Sequence, residues 1–288
     1  ATISISKELD CSAAPGATIT VDITGGKAGY TYKADGGTGT YGSSVAVTGA
    51  QFVYPAAAAG TYNFEITDSN TPGCTKIVSI TVNPISNPTV TATQVNVSCN
   101  GGSNGSVQLR GAGGSGTYTY SDALAGTYVT GNTFTGLTAG THTFYVKDSK
   151  GCTGSVAVTI TEPAAIVATP SATKFTCSTT NAKQSALITV TGTGGTGAYT
   201  YSYNNGTSYV ASNTLTVNDN GASQTFQIII KDANGCLSPM VPITLAPLNP
   251  PVISSVTPTA VTCLATTSTV TVAVTGGTGV APLAYTIT

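Results

Sequence analysis

The sequence predicts an all-β protein of tandem immunoglobulin-like β-sandwich repeats arranged as an extended rod, and three observations predict it. First, its apolar residues alternate with period two. In "TYNFEIT", Tyr62, Phe64 and Ile66 fall on one face, and in "THTFYVKD", Phe144 and Val146 share a face with His142; that period marks a half-buried strand. Second, turn residues arrive roughly every eight to twelve positions and no window carries helical spacing, so each repeat reads as about seven short strands, the signature of a sandwich. Third, one set of signposts recurs in fixed order along the chain.

Each signpost justifies one part of the repeat. A cysteine precedes a β-branched strand: Cys11 before "ATITVDI", Cys99 before "GSVQL", Cys177 before "ALITV" and Cys263 before "STVTVAV". A Gly-Gly turn then leads to paired tyrosines in "GGKAGYTY", "GGSGTYTY" and "GGTGAYTY", with a degenerate copy at 276–285, "GGTGVAPLAY". An alternating strand closes on Asp…Gly-Cys in "TDSNTPGC", "KDSKGC" and "KDANGC", which end at Cys74, Cys152 and Cys236. One more strand and a proline follow each closing cysteine. The repeats are therefore placed at 1–84, 85–164 and 165–248, with a truncated fourth at 249–288. Proline-marked junctions such as "VNPISNPTV" fix φ and extend the preceding residue; stiff links between quasi-linear repeats predict the rod.

The repeat order resolves the seven cysteines into one pair per repeat: Cys11–Cys74, Cys99–Cys152 and Cys177–Cys236, with the partner of Cys263 beyond the chain end. A unit of about 80 residues buries a modest core. A bridge across 63, 53 or 59 residues removes unfolded-state entropy worth roughly 4 kcal/mol. No metal site is expected, because there is no Cys-x-x-Cys and a single histidine cannot complete several sites. Paired cysteines imply an oxidising compartment, which places the chain outside the cell or on its surface.

Composition excludes several classes of function. Charged residues are 7% and the net charge is -1, against roughly 25% charged residues in ordinary soluble domains. With no Lys/Arg run there is no surface to neutralise phosphates, so nucleic acid is excluded as a partner. No apolar stretch approaches the roughly 20 residues of a membrane-spanning helix. The opening "ATISISKELD" lacks a charged n-region and an apolar core and there is no initiator Met, so the chain reads as a window on something longer.

Several motifs admit both a sharper chemical reading and a plain one. "GGSNG" fits Gly-x-Ser-x-Gly around Ser103, with Asp122 and His142 following in hydrolase order. That motif works on a strand-to-helix elbow, however, and nothing here predicts a helix, so no catalytic residue is assigned. Asp68 with Asn70, Asp148, and Asp232 with Asn234 could offer oxygens to calcium, which takes six to eight of them. The favoured reading is an Asx turn before each Gly-Cys, and no cofactor is assigned beyond that calcium alternative. Tyr30/Tyr32, Tyr118/Tyr120 and Tyr199/Tyr201/Tyr203 could form a platform for sugar rings; inward packing with the hydroxyls at the rim is preferred. Ligand contacts are sought in segments 33–59, 121–139 and 202–222, which differ between repeats and carry Tyr41, Phe52, Tyr54, Tyr128 and Tyr209, because variable loops on a rigid frame are where binding usually lives. "NVS" (96–98), "NGS" (104–106) and "NGT" (205–207) fit the N-glycosylation triplet at a frequency that this composition produces by chance.

The segment "CNGGSNGSVQL…GGSGTYTYS…LTAGTHTFYVKDSKGCTGSVAVTITEP" (99–163) resembles the SprB-type repeat of large Bacteroidetes cell-surface adhesins. The first and third repeats match in the tyrosine and closing segments but open with "CSAAPGATITV" and "CSTTNAKQSALITV", and the Trp usual after the tyrosines is absent throughout. The resemblance implies surface attachment, gliding in some members and export by the type IX secretion system; it brings no catalytic residues. The expectation is therefore a non-catalytic, adhesive stalk facing an extracellular polysaccharide or an abiotic surface, with self-association possible. The alternatives are a filament subunit assembled through edge strands, or a carbohydrate-binding array appended to a secreted enzyme.

Overall fold

Every regular element of the computed structural model is a β-strand, and the residues described are 1–12, 14–178, 182–261, 263 and 267–277. The chain forms two compact units, residues 1–96 with 103–161, and residues 97–102 with 162–288.

The first unit contains two sandwiches. The first is built from β1 (Thr2–Lys7), β2 (Ala17–Asp22), β3 (Thr31–Ala34), β4 (Val45–Ala46), β5 (Gln51–Ala56), β6 (Gly60–Thr67) and β7 (Thr75–Val82). One sheet runs β1-β2-β5 and the other β4-β3-β6-β7. The alternation read from the sequence sets the core: Ile19, Val21 and Phe52 from one sheet meet Tyr62, Phe64 and Ile66 from the other. Phe64 has no exposed surface and lies edge-on to Phe52 at 5.6 Å and Tyr54 at 5.2 Å, while Tyr32 stacks on Phe52 at 3.9 Å. The intervening β6 residues face water, where Glu65 pairs with Lys33 at 2.9 Å.

The second sandwich uses β8 (Pro88–Val95), β9 (Gly105–Gly113), β10 (Thr119–Ser121), β11 (Thr133–Leu137), β12 (Gly140–Lys147) and β13 (Thr153–Ile160), in sheets β11-β9-β8 and β10-β12-β13. Val107, Leu109, Phe144 and Val146 are fully buried, and Phe134 meets Phe144 across the two sheets at 4.9 Å.

The second unit repeats the plan. Its strands are β14 (Val167–Ala172), β15 (Thr176–Cys177), β16 (Lys183–Gln184), β17 (Ala186–Thr193), β18 (Thr200–Ser202), β19 (Thr214–Val217), β20 (Gln224–Lys231) and β21 (Val241–Leu245). The main sheets are β14-β17-β19 and β18-β20-β21, with β15-β16 as a small separate hairpin. Ile228 stands where Phe64 and Phe144 stand, and it closes a core with Ile188, Val190 and Ile230. Beyond it, β22 (Val252–Pro258) pairs with β23 (Val270–Thr275). The degenerate tyrosine segment at 276–285 lies outside the described residues after Gly277.

Strand register fixes which ends of a sandwich the cysteines occupy. Lys7 pairs with Thr18 and Ala17 with Ala56. The loop carrying Cys11 is therefore at the end where β5 turns through residues 57–59 into Gly60, the first residue of β6. The eight-residue β6 then runs the length of the sandwich to Thr67, opposite Thr75, and Cys74 lies in that distal turn. Eight residues span roughly 26 Å at the usual strand rise, whereas disulfide-bonded Cα atoms lie roughly 4.4–6.8 Å apart. One repeat therefore cannot bond its own two cysteines.

This corrects the expected pairing. The bonds are Cys11–Cys152, with Cα atoms 4.8 Å apart, and Cys99–Cys236, with Cα atoms 5.6 Å apart. In both bonds the opening cysteine of one repeat joins the closing cysteine of the next. Cys74 and Cys177, expected to be bridged, are exposed free thiols, as is Cys263.

Candidate functional site: the cysteine clasp

The same clasp is built three times from two turns. In the second repeat, Asp148 Oδ1 accepts the N–H groups of Lys150 and Cys152, both at 2.9 Å, and Oδ2 accepts the N–H of Ser115 at 2.9 Å. In the third repeat, Asp232 Oδ1 accepts from Asn234 at 3.0 Å and Cys236 at 2.8 Å, and Oδ2 from Thr196 at 2.8 Å. In the first repeat, Asp68 Oδ1 accepts from Asn70 at 3.2 Å and Cys74 at 2.9 Å, and Oδ2 from Lys27 at 3.2 Å. These are Asx turns whose second oxygen also reaches the Gly-Gly turn, so each aspartate ties the closing loop to the start of the tyrosine segment. The Cys74 N–H, ahead of the other contacts, holds the Asp68 carboxyl below the usual carboxylate range.

The Gly-Gly turn is matched to that carboxylate. Gly114 and Gly195 each have φ +63, and a Cβ there would lie 2.7 Å from Asp148 Oδ2 and 2.8 Å from Asp232 Oδ2. The first tyrosine of each pair locks the turn from the other side. Tyr30, Tyr118 and Tyr199 donate their hydroxyls to the carbonyls of Gly25, Gly113 and Gly194 at 2.9, 2.5 and 2.5 Å. Tyr30 and Tyr120 are buried and pack inward, whereas Tyr118 and Tyr199 are half-buried and are held by these hydroxyl bonds. Burial raises the Tyr203 hydroxyl to about 12, with Tyr201 adding to the effect.

Into each occupied clasp fits a short opening segment. In the first unit, the Cys11 N–H donates to the Lys150 carbonyl at 3.0 Å, and the Lys150 ammonium pairs with the Glu8 carboxylate. Asp10 shapes this segment by accepting the hydroxyl of Ser12 at 2.7 Å. In the second unit, Asn234 Nδ2 donates to the Ser98 carbonyl at 3.1 Å. Asn100 Nδ2 donates to Glu162 Oε1 at 3.0 Å, and the Gly101 N–H to Glu162 Oε2 at 2.7 Å. The residue two before the first three opening cysteines is apolar and buried, Leu9 at 6%, Val97 at 3% and Phe175 at 4%, whereas Val261, two before Cys263, is 64% exposed. The bonded closing cysteines are covered in turn, Cys152 at 1% and Cys236 at 9%. The loops closed span 141 and 137 residues, each worth about 5 kcal/mol on chain-entropy grounds. Chemically, the clasp is a covalent bond between one repeat and the next.

The other sequence-derived candidates fall elsewhere. His142 lies on β12 with Nε2 2.9 Å from the Thr138 carbonyl, matching Tyr62, whose hydroxyl donates to the Ala58 carbonyl at 2.8 Å; both bond four residues upstream, so His142 occupies a framework position. Ser103 precedes β9 in a loop, and Asp122 lies in the turn after β10. Within the proposed search segments, Phe52 and Tyr54 belong to the first core, which removes them as surface contacts. Tyr128 and Tyr209 instead form a matched pair of half-buried sites, capped by the Lys147 ammonium at 3.8 Å and the Lys231 ammonium at 4.1 Å from the ring centroids. Asn96, in the first glycosylation triplet, accepts the Thr161 N–H at 3.0 Å. Among the described residues, no group of three or more His, Cys, Asp or Glu side chains could hold a metal ion, and no helix is long and apolar enough to cross a membrane.

Sequence reading missed Asp35. It is 3% exposed and accepts the backbone and side-chain N–H groups of Asn63 at 3.0 and 2.6 Å, with the Gly37 N–H at 3.0 Å. Burial pushes its carboxyl up, and these donors outweigh burial to hold it below the usual range. The "ADGG" turn (34–37) was its signal in the sequence.

A family model described as "SprB repeat" matches residues 91–121, overlapping the first part of the segment, 99–163, that carried the sequence resemblance. No curated protein matches the chain. Among solved structures, the fibronectin(III)-like modules of Clostridium thermocellum CbhA are 16% identical, covering 56% of this chain and 95% of that one at a TM-score of 0.27. The C-terminal fragment of intimin, in complex with the intimin-binding domain of its translocated receptor, is 17% identical, covering 59% and 66% at 0.30. A Ca2+-stabilized adhesin that helps an Antarctic bacterium bind ice is 16% identical, covering 89% and 77% at 0.37. At these TM-scores the likenesses carry no argument about what this chain binds.

Proposed function

We propose, from the SprB repeat at residues 91–121, that the chain is a non-catalytic, load-bearing section of the stalk of a secreted cell-surface adhesin. One observation carries this reading: the disulfides join successive repeats, Cys11 to Cys152 and Cys99 to Cys236. A domain needing only its own stability is served by an internal staple, whereas a bond from one repeat to the next is of use when repeats are pulled apart. The two disulfides support this reading, because such bonds persist in oxidising compartments. On this reading the stalk presents a binding region to an extracellular polysaccharide or an abiotic surface, and gliding with type IX export is its finer form.

The test is to label intact cells of the producing organism with antibodies raised against this chain, with and without external protease. Surface labelling that protease abolishes is the expected result. Signal confined to the cell interior, or free in the medium with none on cells, would overturn the reading; the second outcome points to a carbohydrate-binding array released with a secreted enzyme.

A further inference from the structure

We propose that the end of the first sandwich around Cys74 is an open receptor for the opening-cysteine segment of a further repeat of this kind, closed by a disulfide to Cys74. This inference rests on the clasp geometry and stands independently of the adhesin reading. The receptor half is already formed. The Asp68 N–H donates to the Cys74 carbonyl at 3.1 Å, as Asp148 does to Cys152 and Asp232 to Cys236, both at 3.0 Å. The Cys74 N–H returns to Asp68 Oδ1 at 2.9 Å, matching 2.9 and 2.8 Å in the two bonded copies. Two extra residues separate Asp68 from Cys74, and the turn absorbs them without altering these contacts.

The second observation is what the copies hold. Both bonded closing cysteines are nine-tenths or more buried against an opening segment, whereas Cys74 is exposed. Beside it runs a groove of about 270 Å³ lined by Gly26, Tyr30, Ile66, Asp68 and Cys74. The corresponding groove in the second unit, about 350 Å³, is lined by Gly195, Asp232 and Cys236, with Cys99 and Asn100 of the inserted segment as its other wall. The occupant's chemistry follows: a cysteine whose neighbouring backbone meets the closing turn, as the Cys11 N–H meets the Lys150 carbonyl and the Ser98 carbonyl meets Asn234 Nδ2. Closure proceeds by thiol–disulfide exchange. The Cys74 thiolate attacks the segment's sulfur, held as a mixed disulfide with a small thiol such as glutathione, and that thiol leaves as thiolate.

The probe is a peptide of sequence "QVNVSCNGG" (94–102) carried as its glutathione mixed disulfide, beside a scrambled peptide with cysteine at the same position. The intact chain is treated with each, and modification at Cys74, Cys177 and Cys263 is timed by peptide mass mapping. Cys177 and Cys263 are opening-type thiols and serve as internal controls. The expected result is a native-over-scrambled rate ratio of tenfold or more at Cys74 and a ratio near one at the other two. Equal ratios at all three thiols, or a preference at Cys177 or Cys263, would overturn the proposal.

Discussion

Load across the repeats should follow the staggered bonds, and extension under force measures the path. Cys11, Cys99, Cys152 and Cys236 occur in that order while bonding first to third and second to fourth. A pull between Cys11 and Cys236 crosses to Cys152, returns through the 53 residues to Cys99, and crosses again to Cys236. At about 3.4 Å per extended residue, that path reaches roughly 180 Å, against roughly 770 Å for the 225-residue backbone once both bonds are reduced. Single-molecule stretching before and after reductant should therefore differ by roughly 590 Å. A serine variant tests the pairing itself. Cys74→Ser leaves the staggered path untouched and should not change the oxidised contour length. Were Cys11 bonded to Cys74, the same variant would release 63 further residues, roughly 210 Å; a gain of that size would refute the reasoning.

Other consequences are local to the clasp and cores. Asp148→Asn replaces an acceptor facing three N–H groups and should cost about 2–4 kcal/mol, read from denaturant unfolding. Gly114→Ala forces a Cβ to 2.7 Å from Asp148 Oδ2 at φ +63 and should cost about 1–3 kcal/mol in the same assay. Phe64→Ala empties a fully buried position and should cost about 3–5 kcal/mol. Asp35, held below its ordinary value of 3.8, contributes stability that is present above that value and lost as pH falls through its folded one. The melting temperature should therefore drop on acidification below about pH 4, and Asp35→Asn should flatten that drop.

Most of the fold was legible because burial in a sheet leaves a period-two trace. Tyr62, Phe64 and Ile66 are buried as the alternation required, and their counterparts Phe144 with Val146 and Ile228 with Ile230 follow the same rule. The Asx turns were legible too, since Asp followed by Gly-Cys has few ways to satisfy its backbone. The cysteine partners were misread, because counting pairs along a chain ignores where strands put their ends. The information was present: an eight-residue strand such as "GTYNFEIT" stands between the loop end that carries Cys11 and the turn that carries Cys74, and a strand that long holds two cysteines apart. Contacts such as Asn100 with Glu162 carry no local pattern. They arise from one segment meeting another across 62 residues, which no periodicity records.

The staggered pairing changes what the cysteines do. Internal staples would have left the residues between successive bonded pairs, including the proline junctions at 83–88 and 161–166, as the only covalent connection from repeat to repeat. With the staggered bonds, the shortest path skips both junctions and enters the second sandwich at Cys152, leaving it at Cys99. Val95 pairs with Ser106 at the end of β8 that leads to Cys99, and Lys147 pairs with Thr153 at the turn that carries Cys152; a load applied between the two cysteines would therefore run along β9 and β12 and meet their hydrogen-bonded ladders in shear. Shear loads many backbone bonds together, whereas pulling strands apart from one end loads them in turn. On the proposed load-bearing reading, the Asp…Gly-Cys turn at Cys152 and Cys236 fixes the point at which load enters the sandwich, and its carboxylate braces that point against the Gly-Gly turn beside it.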